Sequence, residues 1–198
     1  MPVVRRVIEQ VVVFIKANYT VGISFLPAII LVKDFKIINE RMCCLRLKAK
    51  WFSCTLMNVH TPTNEKTEEI KKEFYSLLEQ NITQIARSDT KIILGDFIAK
   101  VGEESIYKPT IGNESLHNET NNNAIQMIQF EISDGLNVRS TTFPHEDIHR
   151  ETWYSADSRT ANQIDHVLIS NRFRSAITDI STKGTRHWIR SQLNEDKF

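Results

Sequence analysis

Three short stretches combine residue types that can do chemistry with neighbours that can hold them in place. In "KIILGDFIAKVG", residues 91–102, Ile92, Ile93 and Leu94 read as a short buried strand. Gly95 and Asp96 follow at once, so the strand delivers a carboxylate to the rim of a sheet. In "NVHTPT", residues 58–63, Pro62 stops a strand ladder and leaves His60 near a sheet end. In "NQIDHVLIS", residues 162–170, period-two alternation puts Asp165 on one face with Val167 and Ile169, and His166 on the other. A carboxylate so placed is partly buried and needs a partner to stay ionised; without one its pKa rises. Each of the three also has a plain structural reading, as a strand-end hydrogen bonder, a turn aspartate or a liability to stability. Ile98 stands out because a polar residue is expected at that point of the loop.

A fourth stretch, "FPHEDIHRETW", residues 143–153, carries two histidines and three acids close together. His145 and His149 would share one face of a helix, but Pro144 and the flanking strands favour a solvated loop with a packed Trp153 over a metal site.

The elements that must position these residues are legible in outline. "AIILVKDF" reads as a strand, and "RMCCLRLKAKWFSCTLMNVH" as a hairpin of two strands joined at Ala49 and Lys50. Ile70, Phe74, Leu77, Leu78, Ile82 and Ile85 recur at intervals of three and four, which predicts a helix with these residues along one face. A second helix is predicted around 122–133, ended by Gly135 in the left-handed conformation. "LNVRSTTF" and "QIDHVLIS" read as further strands. Interleaved strands and helices with a hairpin give an α/β or α+β class, two packed sheets with helices outside.

At 198 residues, with 41% apolar and 25% charged side chains, the chain suits one domain with a substantial core. Lys and Arg number 25 against 24 Asp and Glu, so the formal charge of +1 gives no global attraction to phosphate, and nucleic acid would have to bind a local patch. Cys43, Cys44 and Cys54 cannot all pair and fit no zinc spacing, which suggests small buried apolar groups in a reducing compartment. The apolar start "VVRRVIEQVVVFI" is interrupted by Glu9 and Gln10, so no secretory signal is expected and the sequons at Asn18, Asn81, Asn113 and Asn118 carry no sugar. "VGISFLPAIILV" is shorter than the ~20 residues of a membrane span and is broken by Pro27. A cytoplasmic or nuclear location is the expectation, with no membrane and no small-molecule cofactor.

In order along the chain, "INERMCCLRLKAKWFSCTLMNVHTPT", "EEIKKEFYSLLEQ", "KIILGDFIAKVG", "TTFPHEDIHRETWYSADSRTANQIDHVLIS" and "NRFRSAITDI" resemble the endonuclease/exonuclease/phosphatase superfamily. The likeness is greatest to the endonuclease domains of non-LTR retrotransposons and their host-encoded relatives of the craniofacial development protein 2-like kind. It implies a domain over 21–182, a four-layered α/β sandwich, and Mg²⁺-dependent cleavage of DNA phosphodiesters. In such a site the cation neutralises phosphate charge while an aspartate handles the attacking water. By the resemblance Asp96 is that aspartate and a metal ligand, His60 contacts phosphate with Asn58 beside it, and Asp165 holds the catalytic histidine.

The departures from the pattern are as specific. Ile98 replaces the asparagine of the family's GDFN motif, so an amide that should bind phosphate has become a branched hydrocarbon. Nothing in residues 1–20 matches the family's opening strands or their metal-binding glutamate, and Glu9 lacks the right context. The family ends in Ser-Asp-His, whereas residues 183–198 read "KGTRHWIRSQLNEDKF", with His187 in a different setting. If "RHWIRSQ" is encoded CGA CAT TGG ATC AGA TCA CAA and followed by T, the next frame reads Asp-Ile-Gly-Ser-Asp-His-Asn. A frameshift near 183–186 would therefore account for the tail. The sequence leads to an impaired endonuclease, the alternative being a non-catalytic retroelement fragment or an adopted DNA- or protein-binding module. Absent first strands and a disrupted last strand would leave sheet edges unpaired and the chain prone to aggregate.

Overall fold

The computed structural model describes residues 20–23, 31–48, 52–157 and 159–182. The expectations for residues 1–19 and 183–198, the altered ends included, lie outside the described residues, as does the join at Ala49 and Lys50.

The described strands are β1 (Thr20–Ile23), β2 (Leu31–Asn39), β3 (Met42–Lys48), β4 (Ser53–His60), β5 (Thr90–Asp96), β6 (Leu136–Val138), β7 (Trp153–Tyr154), β8 (Ala161–Asn162), β9 (Asp165–Ser170) and β10 (Ile177–Ser181). Two α-helices are described, α1 (Glu68–Thr83) and α2 (Asn122–Asp134). Six strands form a mixed sheet in the order β2-β3-β4-β5-β9-β6, while β1 pairs with β10 and β7 with β8. The class is α/β with a mixed sheet, as the alternating pattern predicts. The β3–β4 hairpin is antiparallel, with Leu47 opposite Cys54 and Lys48 opposite Ser53. Between β4 and β5 the pairing turns parallel, and α1 makes the crossover that parallel neighbours require.

The sheet buries side chains on both faces. On one side Met57, Val59, Ile93 and Leu168 meet Phe74, Leu78 and Ile82 of α1 and Met127 and Ile128 of α2. On the other, Cys54, Ile92, Leu94, Val167 and Ile169 meet Ile177 and Ile180 of β10. Three layers of a sandwich are therefore present among the described residues: helices, the six-stranded sheet, and the β1–β10 ladder.

The helices correct the sequence reading in one respect. The buried stripe of α1 is Lys71, Phe74, Leu78 and Ile82, whereas Ile70 is 44% exposed. Lys71 takes the inward position because its aliphatic stem packs while its ammonium reaches Glu68 Oε1 at 3.2 Å. α2 behaves as predicted: Asn121 caps it by accepting the Ala124 N–H at 2.9 Å, and Gly135 ends it at φ 64°. "LNVRSTTF" is strand only over β6, because residues 139–141 turn into a 3₁₀ segment. Trp153, predicted to pack, is 44% exposed, since its two-residue strand pairs only with β8. β2 is exposed along most of its length, Leu31, Val32 and Ile37 included. No helix among the described residues is long and apolar enough to cross a membrane.

Candidate active site

Strand register alone brings the three singled-out residues into one row. His60 ends β4 and is the Cα partner of Asp96 at the end of β5; Asp96 is in turn the partner of Asp165 at the start of β9. The alternation that sends Leu94 and Val167 to the β10 side sends Asp96 and Asp165 the same way, so the row lies on the sandwich face at one end of the sheet. The side chains of His60 and Asp96 meet directly, Nδ1 to Oδ2, at 3.3 Å. Gly95 permits the close β4–β5 approach, for a Cβ built there would stand 1.8 Å from the Val59 carbonyl oxygen.

The two carboxylates differ in surroundings. Burial raises Asp96, opposed by the Ile98 N–H and by the charge and hydrogen bond of His60. Asp165 is the deeper of the two, and burial together with the nearby Asp96 charge pushes it up to about 8, opposed by a hydrogen bond from Thr152. The rise expected from its sequence position is present, and Thr152 is a partner that leaves no trace in the strand pattern. His166 points the opposite way, as alternation predicts. It sits between Ser140 Oγ and the Ala99 carbonyl, both at 2.8 Å, and burial lowers it to about 4.

The loop after β5 is where the odd residue of the sequence lies. Ile98 has φ 48°, the positive-φ non-glycine position among the described residues. A β-branched side chain crowds its own backbone in that region, so the conformation is held from outside. Its N–H donates to Asp96 Oδ1 at 3.0 Å, and its carbonyl accepts from Asn121 Nδ2 at 3.5 Å and Asn123 Nδ2 at 3.4 Å. The asparagines, like Thr152, were not singled out from the sequence. Asn58, two residues before His60 on β4, has a buried Oδ1 with no hydrogen-bond partner.

A hard divalent cation takes oxygen ligands. Both Asp96 oxygens are engaged, by Ile98 and by His60, and Asn58 supplies one orphaned amide oxygen. No group of three or more His, Cys, Asp or Glu among the described residues could hold a metal ion. These residues by themselves do not fit a complete Mg²⁺ site. The 143–153 stretch is also not one: His145 Nε2 pairs with Asp179 Oδ1 at 2.7 Å, and His149 Nδ1 faces the Thr182 carbonyl at 3.2 Å.

Comparison with known proteins gives a direct sequence relative. Over 145 residues, 73% of this chain, it is 30% identical to craniofacial development protein 2 of Bos taurus, and equally to that of Tragulus javanicus. The chain is similar to craniofacial development protein 2. It spans about a quarter of these curated relatives, 24% and 25% of their lengths. No family model matches. Among solved structures, the endonuclease domain of TRAS1, a telomere-specific non-LTR retrotransposon, aligns at TM-score 0.48 and 10% identity, over 83% of this chain and 77% of that one. D. rerio TDP2 carrying 14 humanizing mutations aligns at TM-score 0.48 and 11% identity, over 84% and 65%. The likeness to craniofacial development protein 2 is one that the ordered motifs imply.

Proposed function

We propose that this chain is a DNA phosphodiesterase domain of the endonuclease type whose hydrolytic step is impaired. The observation that carries the reading is the row His60, Asp96 and Asp165 on adjacent strands and one face. Two carboxylates and an imidazole held by sheet register, at the site end of the motifs that resemble endonucleases, suit the handling of a phosphate and an attacking water. In this reading Asp96 orients the water, His60 and Asn58 face the phosphate, and Asp165 anchors a further basic group.

Ile98 is the source of the impairment. It occupies the loop position from which, by the motif, an amide would reach the phosphate, and it offers only hydrocarbon there. Preorganised donors lost from such a site cost about two to three orders of magnitude in rate. Because the parts of a phosphoryl-transfer site act as a unit, further losses compound that deficit. Mg²⁺ is the cofactor that the motifs imply, and the described residues do not complete a ligand set for it.

Incubation of the chain with supercoiled plasmid and Mg²⁺ or Mn²⁺ tests both parts. The expected result is no nicking beyond that of Asp96→Ala, with salt-sensitive DNA binding by anisotropy. Nicking by the natural chain that Asp96→Ala abolishes would overturn the impairment, and absence of DNA binding at low salt would overturn the DNA assignment.

A further inference from the structure

We propose that Thr152 is the positioning residue for Asp165, aiming its carboxylate along the row that it forms with Asp96 and His60. The chemical meaning of that aim rests on the phosphodiester reading above; the geometry does not.

Thr152 lies between the 143–151 loop and β7, on a segment otherwise remote from the sheet centre. Its Oγ1 accepts the N–H groups of Ile164 at 2.9 Å and of Asp165 at 3.1 Å. A hydroxyl has two lone pairs and one hydrogen. With both lone pairs occupied, Thr152 can only donate, and two acceptors compete for its hydrogen. One is the Asn162 carbonyl, at a long 3.4 Å. The other is the Asp165 carboxylate, to which Thr152 is hydrogen-bonded. A carboxyl oxygen, which can accept in either protonation state, outcompetes a carbonyl at that length. One side chain therefore fixes both ends of Asp165, its backbone by accepting and its carboxylate by donating.

The segment that carries Thr152 is itself anchored. The Thr152 N–H donates to the Asn162 carbonyl at 2.9 Å, and upstream the Thr182 N–H donates to the His149 carbonyl at 2.7 Å. The hydroxyl thus has a fixed origin and acts as a strut between the loop and β9. Valine matches threonine in shape but can neither accept nor donate, and serine keeps the hydroxyl, so the two variants separate hydrogen bonding from packing.

The test is amide hydrogen exchange by NMR on the full chain, together with the Asp165 carboxyl carbon shift at fixed pH. In Thr152→Val the Ile164 and Asp165 amides should exchange about tenfold faster, the equivalent of one hydrogen bond, and the Asp165 carbon should move. In Thr152→Ser both readouts should return to within about twofold of the natural chain. Unchanged exchange at Ile164 and Asp165 in Thr152→Val overturns the proposal, and so does Thr152→Ser behaving like Thr152→Val. Should the valine variant fold poorly, Thr152→Ala removes the hydroxyl without adding bulk and is read the same way. A chain that never binds or nicks DNA would remove the functional reading yet leave this result standing.

Discussion

Ile98 keeps a backbone conformation that its own side chain opposes. A β-branched residue in the left-handed region costs about 1–2 kcal/mol, and asparagine tolerates that region far better. Ile98→Asn should therefore stabilise the chain by about 1 kcal/mol, the loss of some apolar contact holding back the rest. A denaturant midpoint that rises at unchanged slope would show it; a lower midpoint would mean that the apolar contact outweighs the strain. Asp165 supplies a second residue-level prediction. Its folded pKa of about 8 stands above the ordinary carboxylate value, so the folded state holds the proton more tightly. That contribution is complete below the ordinary carboxylate pKa of about 4 and is lost as pH rises to 8, so stability should fall from about pH 4 to pH 8. Asp165→Asn should make the decline shallower, and an equal decline in the variant would assign it to other groups. Much of this was readable beforehand: alternation placed Asp165 and His166 on opposite faces, and Ile98 stood out by type. Thr152 and the Asn121 and Asn123 amides were not readable, because hydrogen bonds between segments distant in sequence leave no periodic trace.

At the scale of elements, β2 is the exposed flank of the sheet. Register shifts between Val32 and Asp34 and between Ile37 and Asn39 interrupt its pairing with β3, and Asp34 Oδ1 accepts the Phe35 N–H at 2.8 Å. Such irregularities, with Lys33 and Lys36, blunt an edge against further pairing. Ile37, 54% exposed, works against them. Ile37→Lys should reduce light scattering on storage while the free energy of unfolding changes by less than about 0.5 kcal/mol, as for an exposed position. A large loss of stability would show that Ile37 is covered in solution. α1 shows how pattern reading errs by one position. Apolar spacing selected Ile70, but the stripe continues through Lys71, since a long amphipathic stem fills the site and still delivers its charge to Glu68.

For the whole molecule, burial is concentrated around β4, β5 and β9, with helices on one face and β10 on the other. Amide exchange should be slowest in these central strands and fastest in β2, and a β2 as protected as β5 would mean that the sheet continues beyond it. The α/β class and both helices were legible from periodicity, whereas the strand order was not, because pairing between distant segments is set by the packed whole. That order has a practical outcome. β9 follows the exposed turn between β7 and β8 in the chain, yet it is held in the sheet by ladders to β5 and β6 on both of its sides, which do not need that turn to be continuous. A protease cutting at Arg159 in that turn would therefore yield two fragments that stay associated, and two separately made pieces divided there should reassemble with His60, Asp96 and Asp165 in line.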